Sequence, residues 1–242
     1  MILIRSLLFQ LVLALSTLVF ATAVLIVGWG FPDRLASRVA STWGRFNLAA
    51  LGLICGLRYR VRGLEHLPAE NAVVLCKHQS AWETIALRGL LPPDQTWVLK
   101  RELMRIPFFG WAMGRLQPIA IDRAAGRRAV IQLIRDGLER LERGRWVIVF
   151  PEGTRVPPGE RHPYAPGGAA LAERSGRPVI PVAHNAGYFW GRRSLRKRPG
   201  TIELVIGPPI DSRGRSVAEL NAAVEDWIEG TLAGLPAGPA AG

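Results

Sequence analysis

The pattern of apolar and polar positions changes character near residue 58. Residues 7–27 are a nearly unbroken apolar run, interrupted only by Gln10, Ser16, Thr17 and Thr22. That run matches the roughly 20 residues a helix needs to cross a bilayer. Residues 46–57, rich in Leu, Ala and Gly, are too short to cross and predict a buried or interfacial helix. Arg34, Arg38 and Arg45 recur near helical spacing just before it, at a level suited to anionic headgroups. Residues 1–57 therefore predict a membrane-seated helical hairpin.

Beyond this point short apolar runs alternate with helical patterns. Strands are predicted at 58–62, 72–76, 96–99, 117–121, 146–150, 179–183 and 201–206. Helices are predicted from Ser80 to about Leu90, at 126–143, 167–175 and 217–232. In the second of these, Val130, Leu133, Ile134, Leu138 and Leu141 form one apolar face. Leu91-Pro92-Pro93-Asp94, Gly144 and Gly176 stop three of the helices. The alternation predicts an α/β domain over 58–235, with a central mixed, mainly parallel sheet flanked by helices. The Pro/Gly/Ala stretch 236–242 predicts a disordered tail.

Charge adds a partner. The net charge is +12, carried almost wholly by arginine, since the lysines are Lys77, Lys100 and Lys197. That balance points to an anionic surface or a phosphorylated substrate. Only Arg5 precedes the long apolar run and three arginines follow it, which orients the bulk of the chain toward the cytoplasm if the run spans. Ala21-Thr22-Ala23 resembles a signal-peptide cleavage site, but cleavage there would leave residues 24–27 apolar, and the basic n-region is thin. Cys55 and Cys76 form no framework, and His66, His78, His162 and His184 show no metal-type spacing. Residues 105–111, Arg-Ile-Pro-Phe-Phe-Gly-Trp, suit an acyl-chain slot, a membrane interface or ordinary core.

Polar groups collect where the predicted strands stop: Lys77 and His78, Lys100 and Arg101, Asp122 and Arg123, Glu152 and Arg155, and His184. In open α/β sheets that edge holds the ligand. Arg clamps phosphate through two parallel bonds and Lys adds a point charge, so Arg123 joins the candidate ligands on this ground alone. His78 and Glu83 are five apart, about 140° around a helix, so they meet only if His78 precedes the helix and the chain turns at Ser80. Glu83 then accepts the proton of one ring nitrogen and leaves the other free as a base. The competing reading makes Ser80 and Glu83 a capping box, with Glu83 bonded to the helix start.

The ordered segments His78-x4-Glu83, Lys100-Arg101-Glu102-Leu103 with Pro107 and Gly110, Phe150-Pro151-Glu152-Gly153-Thr154-Arg155, and Val179-Ile180-Pro181-Val182 resemble the four blocks of the glycerolipid acyltransferases, over about residues 58–210. The nearest resemblance is to the lysophosphatidate acyltransferases. It implies acyl transfer from a thioester co-substrate, on coenzyme A or acyl carrier protein, to the hydroxyl of lysophosphatidate in phospholipid biosynthesis. No metal, cofactor or nucleic acid is then expected, and membrane lipids are the surroundings. His78 matches the general base. Glu83 stands where the family has Asp, one methylene longer. The second and third blocks imply acceptor contacts from Lys100, Glu152, Gly153, Thr154 and Arg155. The fourth is associated with donor binding and packing. Backbone N–H groups near Ser80 are candidate oxyanion donors.

Other readings stay open at this stage. Glycerol-3-phosphate or another lysolipid is an alternative acceptor. Cys76, two residues from His78, is an alternative acylated nucleophile whose apolar neighbours predict burial. A basic membrane-bound scaffold is the non-enzymatic alternative.

Overall fold

The computed structural model describes residues 1–238, apart from the side chain of Arg123. Two long helices come first: α1 (Ile2–Gly30) and α2 (Asp33–Cys55). They pack antiparallel, with Ser16 Oγ donating to Asn47 Oδ1 at 3.1 Å and the Phe20 and Phe46 rings 6.1 Å apart. The second helix starts earlier than the apolar pattern predicts. Its buried face in the first turns is Ala36, Ser37, Ala40, Ser41 and Gly44, small residues that let backbones approach but carry little apolar signal.

A sharp αL turn at Gly56 leads into the α/β unit. Its strands are β1 (Leu57–Arg62), β2 (Val73–Cys76), β3 (Gln95–Lys100), β4 (Ile119–Ile121), β5 (Trp146–Val149), β6 (Val179–His184) and β7 (Gly200–Ile206). The helices between and after them are α3 (Trp82–Leu90), α4 (Phe109–Arg115), α5 (Arg127–Glu142), α6 (Gly167–Ser175) and α7 (Val217–Ala233). Among the described residues the sheet order is β1-β7-β6-β2-β5-β3-β4. Only β6 and β7 pair antiparallel, so the sheet is mixed and mainly parallel.

The sheet is buried on both faces, which is why β2 and β5 read as unbroken apolar runs. Alternate residues serve opposite layers. Val74 and Cys76 join Leu51, Trp82, Leu87 and Phe9 on the side of α1 to α3. Val73 and Leu75 join Leu133, Leu171 and Val224 on the side of α5 to α7.

The α1–α2 pair is built into the α/β unit rather than appended to it. Gly44 of α2 meets Gly89 of α3 so closely that a Cβ on Gly44 would lie 2.6 Å from the Gly89 nitrogen. Overpacking of this kind costs about 1–3 kcal/mol, and backbone cannot rotate away. Gly44→Ala is expected to lower the melting temperature of the detergent-solubilised protein by several degrees, roughly 2–4 °C per kcal/mol; Gly30→Ala, where a Cβ meets nothing within 4 Å, is expected to leave it in place.

The basic segment 192–198 contains a second tie. It is not the uniformly solvated loop that its charge suggests. Lys197 is buried, its Nζ donating to Gln10 Oε1 at 2.9 Å and lying 4.7 Å from the Trp190 ring, while its N–H meets Ser6 Oγ at 2.8 Å. A lysine stem packs readily against aromatic rings, and here its charge is met by α1. At the other end of the chain, the Pro236 carbonyl accepts from Asn185 Nδ2 at 2.9 Å. The rest of the predicted tail, 239–242, lies outside the described residues.

Candidate active site

β2 is the central strand, between β6 and β5, and it delivers His78 at its C-terminal edge. The histidine's backbone is held on every side. Its N–H donates to Glu152 Oε2 at 2.7 Å, and its carbonyl accepts from the Val156 N–H at 2.8 Å. The preceding carbonyl, of Lys77, accepts from His184 Nε2 at 2.9 Å. The His78 ring stacks on Phe150, with centroids 4.1 Å apart and planes 17° from parallel. Its Nδ1 lies 2.7 Å from Glu83 Oε1. An Nδ1–H given to that carboxylate leaves the Nε2 lone pair for a substrate proton.

Glu83 is fully buried and does two jobs at once. Oε1 also accepts from the N–H groups of Gln79 at 2.9 Å and Ser80 at 2.8 Å, and Oε2 accepts from Ser80 at 3.1 Å. Ser80 Oγ in turn accepts from the Trp82 N–H at 3.1 Å. The capping box forms only in half: the N-cap is Ala81, without a side-chain cap, and Ser80 Oγ accepts from Trp82 rather than Glu83, while the Glu83 carboxylate bonds both the Ser80 N–H and the His78 ring. Burial pushes the Glu83 carboxyl up. The adjacent His184, the His78 bond and the Ser80 N–H outweigh that and hold it below its ordinary value of 4.5. The same bonds engage the N–H groups of Gln79, Ser80 and Trp82, which takes these three out of the set of oxyanion donors.

His78 opens onto a cleft of about 660 Å³. One wall is α3, with Ala81, Thr84, Ile85 and Arg88 facing inward at helical spacing. Ile106, Pro107, Phe108 and Phe109 also line the cleft, which favours the acyl-slot reading of that segment; Ile106, Phe108 and Trp111 are at the same time exposed to the surroundings. A further wall was not legible in the sequence. It comes from α1, through residues such as Gln10, Leu13 and Thr17. The polar breaks Gln10 and Thr17 in the apolar run are its only local trace. Arg88 was also missed. Its guanidinium is buried 5.1 Å over the Trp97 ring, and burial lowers its pKa to about 9.

The expected acceptor ligands are distributed unevenly. Arg155 lines the cleft, and its buried Nε has no hydrogen-bond partner among the described residues. Lys100 also lines it, half-exposed and 3.3 Å from Glu102. Gly153 adopts φ +65° in the turn after Phe150, a conformation that favours glycine, and Thr154 follows half-buried. Glu152, expected to contact the acceptor, is not among the residues that line the cleft. It is buried beneath His78 with one oxygen on the His78 N–H and the other 2.7 Å from Lys77 Nζ. Lys77 and His184, strand-end groups in the sequence, are likewise buried under the site rather than in it. The Arg123 side chain lies outside the described residues.

Cys76 is fully buried, its Sγ 3.2 Å from the Lys77 carbonyl, and burial with Glu83 and Glu152 nearby pushes the thiol far above its ordinary range. A thiolate nucleophile does not form under those conditions.

Comparison with known proteins gives this geometry a family. The profile described as "Acyltransferase" matches residues 58–185, from β1 through the end of β6. The chain belongs to the acyltransferase family. It is 46% identical over 234 residues to a 1-acyl-sn-glycerol-3-phosphate acyltransferase of Pseudomonas aeruginosa, covering 95% of this chain and 91% of the relative. A Saccharomyces cerevisiae protein of the same description is 30% identical over 182 residues, 68% of this chain and 60% of that one. Among solved structures, the 1-acyl-sn-glycerophosphate (LPA) acyltransferase PlsC of Thermotoga maritima matches with a TM-score of 0.81 at 26% identity, covering 99% of this chain and 98% of that one. The chain is thus an acyltransferase, and the scaffold alternative falls. The long apolar α1, with most of its large side chains exposed, suits association with a membrane.

Proposed function

We propose that this acyltransferase moves an acyl group from a thioester, on coenzyme A or acyl carrier protein, to the free hydroxyl of lysophosphatidate, giving phosphatidate. The observation that carries the reading is the 2.7 Å His78–Glu83 pair at the mouth of an apolar cleft that also presents Arg155. The relatives' descriptions name the same acceptor.

In this mechanism His78 Nε2 takes the hydroxyl proton as the oxygen attacks the thioester carbonyl. The C–O bond forms, the C–S bond breaks, and the proton passes to the leaving thiolate. Glu83 fixes the ring and steadies the imidazolium. Positioned general-base help is worth about 10²–10⁴-fold, so orientation supplies much of the remainder. Arg155 binds the phosphate, with Lys100 adding charge at the rim. The apolar walls take the acyl chain. The exposed flank of α1 seats the hairpin in the bilayer while its other flank closes the cleft, with the catalytic unit on the cytoplasmic side.

The test uses membranes containing the expressed protein. They receive acyl-coenzyme A or acyl carrier protein thioester with lysophosphatidate, glycerol-3-phosphate or neutral-headgroup lysolipids, and thiol release and product lipid are followed. Turnover with lysophosphatidate above the others is the expected result; preference for another acceptor would sink the assignment. Arg155→Ala is expected to raise the KM for lysophosphatidate about 10–100-fold, since hydrogen bonds to charged groups contribute about 1.5–3 kcal/mol. The KM for the thioester is expected to stay within two-fold.

A further inference from the structure

The residue before His78 is a fully buried lysine, and general-base chemistry gives it no part. Its surroundings do. Lys77 Nζ lies 2.7 Å from Glu152 Oε1 and 2.8 Å from Glu229 Oε1, a residue of α7 some 150 positions along the chain. Tyr164 OH donates to the same Glu229 oxygen at 3.0 Å, and Arg161 Nε lies 3.9 Å from its other oxygen. Glu152 closes the path, because its second oxygen holds the His78 N–H at 2.7 Å. The final helix is thereby connected to the catalytic backbone through one ammonium group.

We propose that Lys77 and Glu229 are positioning residues: the ammonium group clamped between the two carboxylates fixes Glu152 under the His78 peptide and so sets where the imidazole stands. The inference rests on His78 being the base.

Its physical content is charge balance. A carboxylate this deeply buried takes up a proton unless a cation compensates it. Burial already pushes the Glu152 carboxyl up, with the Lys77 ion pair and the His78 N–H pulling down and Glu229 pushing up. The groups facing it are Lys77, which follows β2, the His78 N–H, Cys76 from β2, Tyr164 from the loop before α6, and Glu229 from α7. Of these, Lys77 is the cation in direct contact. Without it Glu152 faces a like charge, its carboxyl is pushed further up, and once protonated it holds the His78 N–H less firmly. Raising the pH restores the anion and the bond.

The experiment compares the wild type, Lys77→Met, Lys77→Met/Glu229→Gln and His78→Ala in membranes, reading kcat and both KM values across pH 5.5–9.5. Lys77→Met is expected to lose about 10–100-fold in kcat at pH 7, the scale of a misplaced catalytic group. Both KM values should stay within two-fold. The acidic limb of the profile should move upward by about one unit or more, so that the deficit shrinks toward the alkaline end. The double variant should move the limb part-way back, since the repelling carboxylate has gone. An unshifted limb in Lys77→Met, or a pH-independent loss that the second substitution does not relieve, would overturn the inference. If Lys77→Met fails to accumulate, the double variant, which removes one buried charge of each sign and so keeps the net charge of the cluster while leaving Glu152 without its cation, is read alone: reduced kcat with an upward-shifted limb supports the clamp, and a wild-type profile overturns it. Turnover retained by His78→Ala would sink the base itself; an inactive His78→Ala beside an unshifted Lys77→Met would sink only the clamp.

Discussion

His78→Ala is expected to lower kcat by at least about 10²–10⁴-fold with lysophosphatidate and an acyl thioester, leaving the melting temperature within a few degrees of wild type. The loss follows from the proposed mechanism: the ring lines the cleft with Nδ1 2.7 Å from Glu83, and the other nitrogen would take the substrate proton. The His78 backbone bonds to Glu152 and Val156 do not depend on its side chain, so the fold around the strand end should survive. Single-turnover thiol release in membranes, with thermal unfolding measured in parallel, checks both halves. Full activity in this variant would remove the proposed base.

Glu83→Gln is expected to lose both activity and stability. The amide cannot accept the His78 proton and the Gln79 and Ser80 N–H bonds with a charge, and hydrogen bonds to charged groups contribute about 1.5–3 kcal/mol each before compensation. We expect kcat to fall about 100-fold through lost orientation, and the melting temperature to fall by roughly 5–10 °C, at 2–4 °C per kcal/mol. A normal rate with a lowered melting temperature would leave Glu83 with only its bonds to the turn at Gln79 and Ser80. The carboxyl's lowered pKa adds a pH signature. The unfolded chain binds the Glu83 proton more readily than the native one, so the stabilisation is fully present above the ordinary value of 4.5. It is lost as pH falls through the lower native value. Glu83→Gln should therefore flatten the acid side of the stability curve.

At Glu83 the structure keeps one half of the capping box, the bond to the Ser80 N–H, and moves the N-cap to Ala81. Spacing alone left capping and orientation as alternatives, because each needs the acid at the third position after Ser80. Only the turn at Gln79 and Ser80 puts the ring nitrogen and both N–H groups around the same oxygen.

Local chemistry determined a good part of this protein without coordinates. The apolar runs at 72–76 and 146–150 specify buried strands, the αL glycine at 176 stops α6 where composition says it should, and the His78–Glu83 spacing already requires a turn between strand and helix. These features depend on neighbours in the chain, so the chain displays them. What decided the rest was contact between distant segments. Lys77 and Glu152 read as ligands at strand ends, and only the packing of α7 against β6 and α6 brings Glu229 beneath them and turns their charges inward. Likewise α1 reads as apolar on every side until Lys197 and the cleft select the flank that faces protein. A residue's charge is written in the sequence; which way it points, and what neutralises it, is set by elements more than a hundred positions away.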